Sequence, residues 1–248
     1  MSPPTIFGRD LELAQLRALL SSRNSFLLYG VAGVGKTLLV SRLSAEADDA
    51  LYCEQAAGGK LVFREILAQL LARKNPYAVR ACGAGGSNVL RSKSAIAVRG
   101  IVAHALRENN YWLLLDHVKS PSQPFASAMH EICGSTNTSL LVVARSAHME
   151  DVGFLLPVFC QRSARYELRN FDSRTARQFA EGVARELRLQ VANQEDVIEK
   201  VLRYSRGNPG AIRTMLEMAI NPKYVVQQYI KFSPLYIDFR LKWGPAHG

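Results

Sequence analysis

The sequence predicts an α/β fold: a largely parallel sheet followed by a small C-terminal helical lid. Two patterns carry that prediction. Short apolar runs of β type alternate with segments of helical period as far as Leu168, the pattern of parallel strands joined by crossover helices. Beyond Asn170 the strand-like runs stop and helical segments follow one another. The expected division is therefore a core over residues 1–170, a lid over 171–220 and a tail over 221–248 docked on the body.

The candidate strands are 25–29, 50–53, 111–116, 139–145 and 164–168. Helices are expected over 11–20, 37–47, 60–73, 94–108 and 124–133. In the third of these, Phe63, Ile66, Leu67, Leu70 and Leu71 follow the i, i+3, i+4, i+7, i+8 stripe of a helix that buries one face. In the lid, Asp172 can cap a helix reaching Arg185, Asn193 with Asp196 three residues on resembles a capping box, and a third helix starts near Gly210. Residues 82–92, CGAGGSNVLRS, read as a loop, either a plain connector or a partner contact. Pro222, Pro234 and Pro245 exclude one long helix from the tail, where a short strand or hairpin is expected.

Composition narrows the function classes. With 48% hydrophobic and 21% charged residues the chain is of ordinary globular type. Its longest apolar runs, such as 112–115 and 140–144, are far below the ~20 residues of a membrane span. The start MSPPTIFGRD lacks a basic stretch followed by an apolar one, so a soluble cytoplasmic protein with no membrane contact is expected. Cys53, Cys82, Cys133 and Cys160 lie far apart with no CxxC pair and read as reduced thiols. His104, His130, His148 and His247 show no ligand spacing, and no GxSxG or Cys/His signature points to acyl transfer. The net charge of +10 favours an acidic partner, nucleic acid among them, or else is only a basic surface.

Chemistry concentrates at GVAGVGKT, residues 30–37, which follows the apolar run SFLLY and opens a helical segment. That is the context the GxxxxGK[ST] phosphate loop requires. Its glycines let the backbone curl so that N–H groups face phosphate oxygens, with the helix N-terminus adding partial positive charge. Gly30, Val31, Ala32, Gly33, Val34, Gly35, Lys36, Thr37 and Leu38 are thus the expected cofactor-binding stretch. Lys36 would neutralise the β and γ phosphates, and the Thr37 hydroxyl would ligate Mg²⁺. The apolar run YWLLLD ends in Asp116, the expected second Mg²⁺-associated group, and His117 follows it.

With these motifs the chain resembles the AAA+ superfamily of P-loop ATPases, and within it the origin-recognition-like and STAND types, over about residues 5 to 220. The resemblance implies a three-layer P-loop NTPase core with strand order 5-1-4-3-2 and a helical lid over ATP and Mg²⁺. It also implies roles. IFGRDLEL at 6–13 resembles the adenine-bordering segment, with Phe7, Gly8 and Arg9 beside the base. LLVVARS at 140–146 resembles the sensor 1 strand, with Arg145 or Ser146 near the γ-phosphate. VFCQRSARYEL at 158–168 resembles the passage bearing an arginine finger, Arg162 first and Arg165 second. RGNPGAIRTMLEMA at 206–219 resembles the sensor 2 helix, with Arg213 in that role.

The sequence departs from that pattern at His117, where hydrolysing members carry Glu. His117 is either a substitute base or a hydrogen-bonded turn residue, and Glu54 is another candidate to position water. Three functions follow as expectations. One is a nucleotide-driven conformational or assembly switch, a slow ATP hydrolase cycling between ATP and ADP, with Arg162 acting across a homo-oligomer. Another is a DNA-associated ATPase of a replication or transposition type, contacting nucleic acid near Arg91, Lys93 and Arg99. The third is a non-hydrolysing ATP-binding module read by a partner protein. Adenine is expected because the chain shows no NKxD motif.

Overall fold

The computed structural model describes residues 6–54, 56, 59–83, 93–107 and 109–244, the side chains of Lys60 and Arg162 excepted. Of the loop expected at 82–92 only Cys82 and Gly83 are described, so Arg91 lies outside the described residues. The described chain divides into two compact bodies, one of residues 11–29 and 36–167, the other of 6–10, 30–35 and 168–244.

The first body is built from α1 (Asp10–Ser21), β1 (Phe26–Tyr29), α2 (Lys36–Glu46), β2 (Ala50–Cys53), α3 (Gly59–Ala72), α4 (Pro76–Cys82), α5 (Ala95–Arg107), β3 (Trp112–Leu115), α6 (Gln123–Ser135), β4 (Ser139–Ala144), the single turn α7 (Met149–Val152) and β5 (Arg165–Glu167). Its five strands form one sheet in the order β2-β3-β4-β1-β5, every pair parallel. This is the expected P-loop NTPase order. β3 and β4 are buried along their whole length, as strands covered on both faces must be. The expected stripe of α3 packs into the core, with Val62, Phe63, Ile66, Leu67 and Leu70 buried beside Val98 and Val102 of α5. α4 was not foreseen. It starts on Asn75, whose Oδ1 accepts from the Ala78 N–H at 3.0 Å, with Pro76 in its first turn, a start that sequence rules recognise.

The second body holds α8 (Ser173–Glu186), α9 (Gln194–Ser205), α10 (Pro209–Ala219), the two-stranded hairpin β6 (Val225–Val226) and β7 (Tyr229–Ile230), and α11 (Phe232–Trp243). Its core joins Ala180 and Val183 of α8, Val197 and Val201 of α9, Ile212 and Leu216 of α10, and Leu235 and Phe239 of α11. Asp172 caps α8 as expected, its side chain accepting from the Thr175 N–H at 2.8 Å. Asn193 does not form the expected capping box. Its amide is spent on β7, donating to the Ile230 carbonyl at 3.1 Å and accepting from the Ile230 N–H at 2.9 Å. The hairpin lies where the tail was expected to have one, and the tail is not one long helix, but the 12-residue α11 after the hairpin was not expected. Among the described residues no helix is long and apolar enough to cross a membrane, and all four cysteines are free, with Cys53 and Cys82 buried.

Candidate functional site

In the first body the carboxyl ends of parallel strands bring the charged candidates to one edge of the sheet. Lys36 opens α2 after β1, Asp116 follows β3 and Arg145 follows β4. That edge is where ligands settle in open α/β sheets. Burial strips water from the Lys36 ammonium and pushes its pKa down to about 8; Asp116 and Asp151 pull it back up, and Arg145 presses it further down. A lysine in that setting gains from an arriving anion, which restores the favourable interaction lost with water.

Asp116 is only 1% exposed, and each of its oxygens takes a hydrogen bond. Oδ1 accepts from the His117 backbone N–H at 2.7 Å and Oδ2 from the Tyr52 hydroxyl at 3.1 Å. Tyr52 holds its own proton firmly, its pKa raised first by burial and then by the Asp116 charge. Tyr52 was not foreseen; it extends from β2, the strand paired with β3. His117 has a left-handed backbone (φ +53°) and its Nδ1 sits 3.0 Å from the Glu54 carbonyl. Only an Nδ1–H can use that acceptor, so the neutral ring leaves Nε2 as its lone-pair site. Glu54 therefore serves His117 through its main chain. Ser146 donates to Asp151 Oδ2 at 2.6 Å, so the group beside Arg145 supports a carboxylate near Lys36.

The six loop residues 30–35 belong to the second body, and there three consecutive carbonyls are held. Asn208 Nδ2 donates to the Ala32 carbonyl at 2.9 Å, the Gly210 N–H to Gly33 at 2.9 Å, and the Arg9 guanidinium to Val34 at 3.1 Å. In a trans peptide the C=O of one residue and the N–H of the next point oppositely. The N–H groups of Gly33 and Gly35 are thereby turned away from those donors, while that of Val34 turns back on the Val31 carbonyl at 3.4 Å. This is how a backbone cradle for anions is set. Gly33 can be nothing larger: its φ is +77°, and a Cβ would stand 2.7 Å from Asn208 Oδ1 and 3.0 Å from the Trp243 ring.

Three comparisons bear on this geometry. Residues 5–207 match the AAA ATPase domain. The chain belongs to that family. No curated protein matches it. Solved structures with a similar fold include a Walker-type ATPase of Pyrococcus abyssi (16% identity, 96% of this chain and 72% of that one, TM-score 0.63). The ORC1 protein of Aeropyrum pernix, solved in complex with DNA, is similar at 19% identity over 97% of this chain and 66% of that one, TM-score 0.58. A STAND protein with a tetratricopeptide repeat sensor from Pyrococcus horikoshii is similar at 14% identity over 97% of this chain and 33% of that one, TM-score 0.54. At these identities the likeness is one of fold. The chain thus spans from a third to under three quarters of the length of these proteins.

As a P-loop ATPase of the AAA family the chain has a nucleotide-binding fold, and the donors present suit Mg²⁺ and phosphate. The Thr37 hydroxyl and the buried Asp116 carboxylate are hard oxygen donors of the kind Mg²⁺ selects and would be the residues to hold it. The remaining candidates fall variously. Arg9 is buried, donates also to the Arg169 carbonyl at 2.7 Å and stacks 4.4 Å from the Phe171 ring; it braces the loop backbone. Phe7 is 42% exposed with its ring 5.6 Å from Phe179, and Gly8 packs near Thr175. Val31 and Leu38 are exposed and Thr37 half-buried. Arg213 makes a two-pronged, exposed pair with Glu186 (3.2 and 2.8 Å). Arg165 donates through Nε to the Phe159 carbonyl at 2.7 Å, which ties it to its own chain. Arg162 starts a single 3-10 turn before β5, its side chain outside the described residues. Asn208 and Gly210, which hold the loop carbonyls, sit in the RGNPG run without a local signal for that role.

Tyr52 gives the first test. Tyr52→Phe keeps the ring and removes one of two donors to Asp116, so apparent Mg²⁺ affinity is expected to fall about tenfold, the low end for a partner that orients a ligand. Mg²⁺ titration of nucleotide binding measures it; an unchanged midpoint would show that the Tyr52 hydroxyl does not orient the carboxylate.

Proposed function

We propose that the chain binds ATP with Mg²⁺ and uses the bound nucleotide as a conformational or assembly switch, hydrolysing it slowly in the cytoplasm. The observation that carries this reading is the hold of Asn208 and Gly210, at the start of α10, on the carbonyls of Ala32 and Gly33. A change in the loop when the γ-phosphate leaves is passed directly to the N-terminus of a lid helix, a two-state element of the kind nucleotide switches use. In this reading residues 1–170 are the core, 171–220 the lid, and 221–248 a tail docked on the body.

Lys36 and the Gly33 and Gly35 N–H groups hold the phosphates, Thr37 and Asp116 hold Mg²⁺, and Phe7 borders the base with Gly8 and Arg9 behind it. Mg²⁺, when bound, neutralises charge on the β and γ phosphates. In this reading Arg145 is the sensor 1 residue, Arg213 the sensor 2 residue, and Arg162 serves a neighbouring subunit. His117 would take a proton from water through Nε2. Its fixed ring is also what favours the second reading, a module that holds ATP without turnover, because both its ring and its main chain are engaged in structural bonds. The net charge of +10 supports association with nucleic acid.

Phosphate release from ATP at several protein concentrations, with and without duplex DNA and with Lys36→Ala as blank, tests the switch. Turnover should rise with concentration, and Arg162→Ala should remove that rise while leaving the low-concentration rate. Parent-like turnover in Arg162→Ala under assembly conditions would end the in-trans role. ATP binding with no phosphate release in any condition would leave the non-hydrolysing module.

A further inference from the structure

The second body contains a cleft of about 690 Å³ that the phosphate loop touches only at Val31. Cavities of about 300 to 1,000 Å³ are the size that takes small organic ligands. Its working walls are Arg203 and Tyr204 at the end of α9, Arg206 in the turn before α10, and Tyr236, Arg240 and Trp243 of α11. Positions 236, 240 and 243 follow i, i+4, i+7 and share one face of α11.

Two chemistries meet there. The rings form a row, Tyr204 against Tyr236 at 4.2 Å, Tyr236 against Phe239 at 6.4 Å and Phe239 against Trp243 at 5.3 Å. Such a row is commonly only core packing, but Tyr204 is 44% exposed and Tyr236 and Trp243 are partly exposed, so some ring area remains open to solvent. Among the described residues the lining has three arginines, all exposed, and no carboxylate. A positively charged groove interleaved with aromatic faces is the arrangement on which unpaired bases stack while phosphates lie among cations.

We propose that this cleft binds a short stretch of single-stranded nucleic acid, with bases on Tyr204 and Trp243 and backbone phosphates among Arg203, Arg206 and Arg240. A duplex keeps its base faces inside its own stack and cannot use the rings. An acidic peptide can use the arginines but leaves the aromatic faces without a partner. The proposal rests on the nucleic-acid reading above and names its site, independently of ATP turnover.

The test is fluorescence anisotropy of the full chain with a labelled oligothymidylate of about 12 nucleotides, within the usual site sizes of single-strand binders. Binding should weaken steadily with salt, and unlabelled oligothymidylate should compete while a duplex of equal length and oligoglutamate of equal charge do not. Tyr204→Ala should weaken binding about fivefold or more, the lower end for one lost stack, whereas Tyr204→Phe should keep it. Because Tyr204 also packs on Phe232 and Tyr236, the exposed pair Arg203→Gln with Arg240→Gln is the second variant; it should lower both affinity and salt slope. Arg17→Gln, a surface arginine of the first body paired with Glu46, should change neither. If the parent binds and both cleft variants bind equally well, the cleft is the wrong site and the nucleic-acid reading survives. If oligoglutamate competes as well as the oligonucleotide, the cleft is a general anion surface and the proposal fails. If the parent does not bind the oligothymidylate at low salt, the proposal fails, and the nucleic-acid reading falls with it only if a labelled duplex does not bind either.

Discussion

Lys36→Ala is expected to raise the Kd for ATP about a hundredfold and to erase most of the thermal stabilisation that nucleotide confers. The ammonium is held where burial lowers its pKa to about 8, with Asp116 and Asp151 opposing the shift. It is therefore poised to gain when phosphate oxygens arrive. Charge-assisted hydrogen bonds contribute about 1.5 to 3 kcal/mol each, and a hundredfold change in Kd corresponds to about 2.7 kcal/mol. At ATP near a hundred times the parental Kd, the parent gains about 2.7 kcal/mol by linkage, and a variant with the raised Kd gains only about 0.4. Melting with and without ATP and Mg²⁺ reads the difference. The protein without nucleotide should fold as before, since the substitution removes a charge that burial disfavours. A variant whose melting rises with ATP as much as the parent's would remove Lys36 from the site.

The parts of this site visible in the sequence are those where chemistry demands particular residues at a fixed spacing. The loop at 30–37 and the strand-end Asp116 are of that kind; the strand order came only with the family resemblance. What escaped was set by tertiary contacts. The position of Arg9 in IFGRD does not announce that its guanidinium holds two backbone carbonyls and lies over the Phe171 ring. Asn193 has the spacing of a cap, but a strand residue 37 positions away takes its amide. α11 was hidden by Pro234, the third residue of the helix. Proline there lies in the first turn, where its missing N–H has no intrahelical partner to lose; reading the position would have found the helix. Tyr52 carried no local signal, because its role depends on β2 pairing with β3.

Gly207→Ala should lower the stability of the protein by about 3 kcal/mol, combining a left-handed backbone penalty with overpacking. Gly207 has φ +75°, and a Cβ would lie against the Phe171 carbonyl oxygen well inside van der Waals contact. The neighbour cannot withdraw cheaply, because it is main chain and the Phe171 N–H donates to the Gly207 carbonyl at 2.9 Å. Such a loss is a large part of the about 5 to 15 kcal/mol that holds a domain folded. The strain also reaches the site through Asn208, the next residue, whose amide bonds the Ala32 carbonyl and Asn170 Oδ1. ATP affinity should therefore fall together with stability. Gly182→Ala is the contrast. Gly182 lies inside α8 with nothing within 4 Å of the added carbon, and there alanine should stabilise by about 0.5 to 1 kcal/mol through helix propensity. Urea denaturation of the two variants separates the explanations. If both glycines tolerate alanine equally, the close approach of Gly207 to Phe171 does not govern this body, and the path from the Gly207 turn through Asn208 to the phosphate loop loses its support.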